Sequence, residues 1–78
     1  MEAEAVQHAM LDLMIVLGED IIAYEARASE LVKAAAALPD PTGSIRDAAR
    51  GQRVKALELR GQLAALRQEY VTRFGSEP

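Results

Sequence analysis

The chain of 78 residues contains no cysteine and no tryptophan, and only three of its residues are aromatic. Without cysteine, disulfide bridges, thiolate metal sites and thiol nucleophiles are all excluded, and the redox compartment is left open. The shortage of aromatic residues, together with 15 alanines, disfavours a β-sandwich and favours long helices that pack closely. Half of the residues are apolar, which is too large a fraction for intrinsic disorder. We therefore expect one small all-α domain.

The sequence also has no apolar run long enough for a bilayer. The longest run, residues 10–17, is interrupted by Asp12 and falls far short of the ~20 residues that a membrane span needs. The first four residues, Met-Glu-Ala-Glu, are acidic where a secretory signal or a transit peptide would be basic. These features predict a cytoplasmic protein with no membrane partner.

The residues that usually carry catalysis are sparse. His8 is the single histidine, so a transition-metal site would have to rest on carboxylates alone. Glu19 and Asp20 are adjacent, and neighbouring helical side chains point about 100° apart and do not converge. No glycine-rich phosphate-binding motif is present. The sequence therefore predicts a non-enzymatic protein with no metal and no cofactor.

Two prolines mark the only clear break in the helical pattern. Pro39 lacks an N–H and disfavours helical geometry in the residue before it, so the first helix should span about residues 2–38. Gly18 lies inside this helix, where glycine costs about 1 kcal/mol relative to alanine. One continuous helix and a break into two helices at Gly18 both remain open from the sequence.

A second helix should follow, over about residues 45–74. Ser44 and Asp47 have the spacing of a capping box, in which the serine oxygen accepts from the N–H three residues later. Gly75 is suited to cap the carboxyl end of the helix. Because the loop of residues 39–44 is short, the two helices should lie antiparallel as a single hairpin domain over residues 1–78.

Apolar residues recur every seven positions on both helices, with a second residue four positions after each, as one buried helix face requires. In the first helix this core stripe contains Met10, Met14, Leu17, Ile21, Tyr24, Ala28, Leu31, Ala35 and Leu38. In the second it contains Ile45, Ala49, Gln52, Ala56, Leu59, Leu63, Leu66 and Tyr70. The hairpin should therefore be tight at the loop, where the side chains are small, and bulkier at the open end.

The first helix has more apolar surface than one face can bury. Leu11, Ile15 and Ile22 form a second row about 100° around the helix, and Leu57 and Val71 lie on a similar row of the second helix. Soluble monomers rarely expose such a contiguous patch, and a chain of this size seldom offsets ordering costs of about 1.5 kcal/mol per residue with one small core. We predict that these five residues mediate self-association, with two hairpins forming an antiparallel four-helix bundle.

Charge is unevenly distributed along the chain. Residues 1–40 carry a net charge of −6 and residues 41–78 a net charge of +3. Four arginines at seven-residue spacing form one stripe between apolar rows of the second helix: Arg46, Arg53, Arg60 and Arg67. A charged stripe bordered by apolar rows is typical of an interface, since the arginine stem covers apolar surface while its guanidinium binds carboxylates.

These patterns predict a protein that binds itself and another protein. The expected partner-binding residues are the large side chains of the open end and three of the arginines: Met10, Met14, Tyr70, Phe74, Arg53, Arg60 and Arg67. Methionine adapts to varied surfaces, and tyrosine and phenylalanine are strong anchors in buried contacts. The alternative for the open-end residues is that they form the thicker half of the dimer core.

The architecture resembles, in size, charge and hairpin shape, the small acidic co-chaperones of bacterial type III secretion and short phage-encoded inhibitors. This resemblance implies a regulatory adaptor, inhibitor or chaperone-like role. The alternative function is nucleic-acid binding, because the arginine stripe could follow a phosphate backbone. At the level of the fold, such a protein would be similar to the Rop-type RNA-binding hairpin dimers. The net negative charge and the lack of aromatic residues beside the stripe favour the protein-binding function.

Overall fold

The computed structural model describes all 78 residues and shows two helices packed as a hairpin with no strands, which confirms the predicted all-α hairpin. Helix α1 spans Glu2–Ala37 and helix α2 spans Ser44–Phe74, and the two helices pack against each other along their length. The molecule measures 57 × 16 × 15 Å. At 1.5 Å per residue, the 36 residues of α1 account for about 54 Å of that length. The hairpin is therefore a thin rod with one layer of contact between two helices.

Helix α1 runs without interruption through Gly18, so the break left open by the sequence is not present. The helix ends where Pro39 requires it to end. Leu38 has an extended backbone, with φ −121° and ψ 150°, and its N–H still bonds to the carbonyl of Ala34. Extended geometry before a proline avoids the clash between the proline ring and the preceding residue.

The start of α2 differs from the prediction. Ser44 and Asp47 do not form a capping box, because the Ser44 hydroxyl bonds to the Thr42 hydroxyl at 2.6 Å instead. The Asp47 N–H bonds to the carbonyl of Gly43, which occupies the N-cap position with φ 72°. A positive φ suits glycine, and it turns the chain so that Ser44 points away from the amides it was expected to cap.

The side chain of Asp40 performs the capping role instead. Its Oδ1 accepts from the N–H of Ile45 at 3.1 Å, and its Oδ2 accepts from the N–H of Arg46 at 3.2 Å. The carboxylate is folded under the helix end, with only 4% of the side chain exposed. A negative charge at this position also interacts favourably with the positive end of the helix dipole. The cap therefore comes from the loop between the two prolines.

The other end of α2 follows the sequence prediction. Gly75 has φ 73°, and its N–H bonds to the carbonyl of Val71 at 2.8 Å. This left-handed glycine satisfies one of the carbonyls that a helix leaves unpaired at its carboxyl end.

Ten residues are buried, and all ten lie on the predicted core stripes. Four of them are alanines nearer the loop, and the open end contains the larger ones: Met10, Met14, Leu17, Ile21, Leu59 and Tyr70. Gln7 Nε2 donates to the Tyr70 hydroxyl at 2.7 Å, and the Phe74 ring lies 4.9 Å from the Tyr70 ring. The expected gradient from small to large side chains is thus present.

One core-stripe position carries a polar side chain. Gln52 lies in the seven-residue row that also contains Leu59, and its Oε1 is buried with no hydrogen-bond partner. An unsatisfied buried carbonyl oxygen costs about 1–3 kcal/mol, so this position weakens the loop half of the core.

Candidate binding face

The arginine stripe and the surplus apolar rows lie on the same side of the hairpin. Arg53, Leu57 and Arg60 of α2 form one wall of an open cleft of about 460 Å³. The other wall comes from α1, and the floor consists of the buried residues Ala28 and Ala56. The α1 wall contains Glu25, Ser29, Val32 and Lys33.

The same side continues toward both ends of the rod. Near the loop, Arg46 and Arg50 lie beside Val32 and Ala36. At the open end, Arg67 lies beside Leu11, Met14 and Ile15, and Glu77 and Pro78 line the same hollow. Ile22 follows Ile15 by seven residues, and Val71 follows Leu57 by fourteen, which places both in the same rows. We call this surface the arginine face; it consists of Leu11, Ile15, Ile22, Val32, Leu57, Val71, Arg46, Arg53, Arg60 and Arg67.

Large apolar side chains on the arginine face are open to solvent in the single hairpin. Ile22 is 71% exposed, Leu57 is 67% exposed and Ile15 is 59% exposed. Leu11 and Val71 are half-buried. The structure therefore places all five predicted self-association residues together, and leaves three of them largely uncovered.

The arginines of this face differ in their partners. Arg60 Nε donates to Glu25 Oε1 at 3.0 Å, and its Nη2 contacts the same oxygen, which forms the only ion pair between α1 and α2. Arg46 reaches only to 3.9 Å from Asp40. Arg53 and Arg67 have no carboxylate within 4.0 Å.

The register of the hairpin explains this difference. Glu25 lies opposite Arg60, and a step of seven residues in each helix brings Gly18 opposite Arg67 and Val32 opposite Arg53. Neither Gly18 nor Val32 can supply a negative charge. The arginine face therefore carries excess positive charge on a chain whose net charge is −3.

The opposite face of the hairpin is mainly polar. The corresponding rows there contain Asp20, Arg27, Lys55, Gln62 and Glu69, all exposed, together with the partly exposed apolar residues Val6 and Leu13. Val16 and Val54, at 49% and 48% exposed, also lie away from the arginine face. The three most exposed apolar side chains within the helices, Ile15, Ile22 and Leu57, nevertheless share the arginine face, as expected for a binding face.

Three of the predicted partner-binding residues lie inside the hairpin. Met10, Met14 and Tyr70 are each at most 9% exposed, and Phe74 is half-buried against them. A partner could contact the first three only if the helices separated. Arg53, Arg60 and Arg67 are exposed and accessible. Val32 was not among the binding residues predicted from the sequence, because Gly18 and Glu25, which share its seven-residue row, are not large apolar residues.

The remaining chemical features are few. His8 is exposed, and no group of three or more histidine, aspartate or glutamate side chains is close enough to hold a metal ion. Neither helix contains a stretch that is both long and apolar enough to cross a bilayer. Comparisons with protein-family models, with curated proteins and with solved structures find no match to this chain.

Proposed function

We propose that this chain is a non-catalytic protein-binding module that self-associates through its arginine face and serves as a regulatory adaptor, inhibitor or chaperone-like subunit. The observation that carries the proposal is that the exposed apolar rows of both helices and the arginine stripe share one face. Scattered apolar residues are normal on a protein surface, but a contiguous patch with a charged stripe is a feature of binding sites.

The small core of the single hairpin supports self-association. Only ten of 78 residues are buried, and four of these are alanines, which contribute little apolar area. Domains of this size usually need disulfides, a metal or oligomerisation to offset the entropy of ordering the chain. Because the chain has no cysteine, a second subunit that covers the arginine face is the simplest source of further burial, and it leads to a four-helix bundle.

Self-association is tested by sedimentation equilibrium at micromolar concentration, where we expect a dimer or a larger assembly. Ile22→Asp should then give a less stable monomer, since a dry interface cannot solvate an unpaired carboxylate. Ile22 is 71% exposed in the hairpin, so a large effect has to come from an intermolecular contact. The matched control is Leu13→Asp, at a 48% exposed position on the opposite face, which should leave the assembly intact. A well-folded wild-type monomer would contradict this part of the proposal.

A different protein would use the same face and compete with the second copy. We expect Arg60→Ala to reduce partner capture or stability, with only a modest dependence on salt. The double substitution of Met10 and Phe74 by alanine examines the open end. Loss of capture with an unchanged melting temperature would place a docking site there. Unfolding or dissociation would show that these residues serve the core.

Nucleic-acid binding is the second candidate, and the absence of carboxylates near Arg53 and Arg67 favours it. Successive arginines of the stripe are about 10.5 Å apart along the helix and could contact separate phosphates. Against it, no aromatic side chain lies on the arginine face for base stacking. The test is binding of structured RNA or duplex DNA over a range of salt concentrations. A log–log slope of several units, which decreases with each arginine removed, would favour this function over protein binding.

A further inference from the structure

We propose that the arginine face is covered by a second copy of this chain in one particular orientation. In this arrangement the loops of the two hairpins lie at the same end, and α1 of each hairpin packs on α2 of its partner. The proposal rests on the self-association proposed above and specifies its geometry. The charge of each helix, the register of the hairpin and the positions of the exposed apolar residues all favour this orientation.

Two hairpins can stack with their arginine faces together and two-fold symmetry in two ways, and in both the two-fold axis lies in the plane between the hairpins. If that axis is perpendicular to the helices, α1 lies on the partner's α1 and α2 lies on the partner's α2. If that axis is parallel to the helices, each α1 lies on the partner's α2. Helix α1 carries a net charge of −5 and α2 a net charge of +4. The first arrangement places the two arginine stripes against each other, whereas the second places each stripe against an acidic helix, which Coulomb's law favours.

An axis along the rod also fixes the register, because a pure rotation about that axis moves no residue along it. Each residue of the partner's α1 therefore lies at the same height as its counterpart in the first hairpin. Arg67 is level with Gly18, and the partner's carboxylate nearest to it in height is Glu19, which follows Ile15 by four residues and so lies on the row at the edge of the arginine face. Arg60 lies between Glu25 of its own chain and the partner's Glu25. The second copy thus brings a carboxylate toward Arg67, which has none within 4.0 Å in the single hairpin.

The same register pairs the exposed apolar rows. By the register that the Glu25–Arg60 pair sets, Ile15 lies within one residue of the height of Val71, and Ile22 lies within one residue of the height of Ala64. In the dimer, Ile15 meets the partner's Val71, and Ile22 meets the partner's Ala64. Gly18 leaves open space above the face, since a Cβ built there contacts nothing within 4 Å. A large side chain therefore faces a small or medium one, and the helices can approach closely.

Disulfide cross-linking tests the geometry, because the natural chain contains no cysteine. Chains with Ile15→Cys and chains with Val71→Cys are mixed in denaturant, refolded together and oxidised. We expect a covalent dimer that contains one chain of each type, since the two positions face each other across the interface. The control mixes Arg27→Cys with Glu58→Cys, an exposed pair that the same register places level with each other away from the arginine face, which should not cross-link. Cross-linking of either arginine-face variant with itself, or equal cross-linking of the control pair, would overturn the arrangement.

Charge reversal gives a second measurement. Glu19→Arg and Arg67→Glu should each weaken dimerisation by about tenfold, because each dimer contains two copies of the pair. The two changes combined in one chain should restore the wild-type affinity. Asp20→Arg, the same change of charge at a neighbouring position on the opposite face, is the control and should change the affinity little. A wild-type monomer would refute self-association itself. A dimer in which the double variant shows no recovery would refute only this orientation.

Discussion

Asp40 should contribute more to stability than any other residue of the loop, and Asp40→Ala tests this. The substitution removes two hydrogen bonds from the carboxylate to the N–H groups of Ile45 and Arg46. Loss of an N-terminal cap typically costs about 0.5–2 kcal/mol, and hydrogen bonds to a charged acceptor lie at the upper end of the usual range. The 3.9 Å contact with Arg46 adds little, because that arginine side chain is 64% exposed. We therefore expect a loss of about 2 kcal/mol.

The measurement is urea unfolding followed by circular dichroism, with all variants at one protein concentration because self-association would add to the apparent stability. With a slope of about 1 kcal/mol/M for a chain of this size, the midpoint should fall by about 2 M. Ser44→Ala is the control, since the Ser44 hydroxyl bonds only to the Thr42 hydroxyl at the exposed start of α2. A larger loss for Ser44→Ala than for Asp40→Ala would refute the assignment of the cap and restore the capping box.

Five further substitutions have effects of defined sign on the free energy of unfolding, measured by the same unfolding curves. Gln52→Leu should raise the free energy of unfolding by about 1–2 kcal/mol, since it removes an unsatisfied buried oxygen from a core-stripe position; a decrease would contradict this account. Gly61→Ala should stabilise α2 by about 1 kcal/mol because the site is open and helical, whereas Gly75→Ala should destabilise it by a similar amount because φ is +73°. Tyr70→Phe should cost about 1 kcal/mol through loss of the hydrogen bond from Gln7, and Gln7→Ala should show a similar loss if that bond is the cause.

The fold could be predicted from the sequence because its determinants are periodic and local. A seven-residue repeat in both halves defines one buried face on each helix, and the prolines define where the chain reverses. All ten buried residues lie on the stripes that this repeat predicts. Gly75 was equally predictable, since a left-handed residue after the last helical turn is a common role for glycine.

The start of α2 could not be predicted in the same way, because several polar residues of the loop compete for the same amides. Ser44 and Asp47 have the correct spacing for a capping box, but Asp40 reaches the amide groups of α2 from five and six residues upstream. The position of the Asp40 side chain depends on the turn at Gly43, which has a left-handed backbone with φ 72°. The spacing of polar residues alone does not reveal that turn.

One part of the arginine face follows from the sequence of each helix, and another part depends on how the two helices pack. The stripe and the exposed apolar rows follow from spacing within each helix, so the sequence contains them. Which arginine finds a carboxylate depends instead on the register between the helices. Glu25 lies opposite Arg60, but the same register places Gly18 opposite Arg67 and Val32 opposite Arg53. A shift of one helical turn, about four residues, would change each of these pairings while leaving the composition of both helices unchanged. The unpaired positive charge that suggests an acidic partner therefore depends on how the two helices pack, with Ala28 and Ala56 buried beside the Glu25–Arg60 pair.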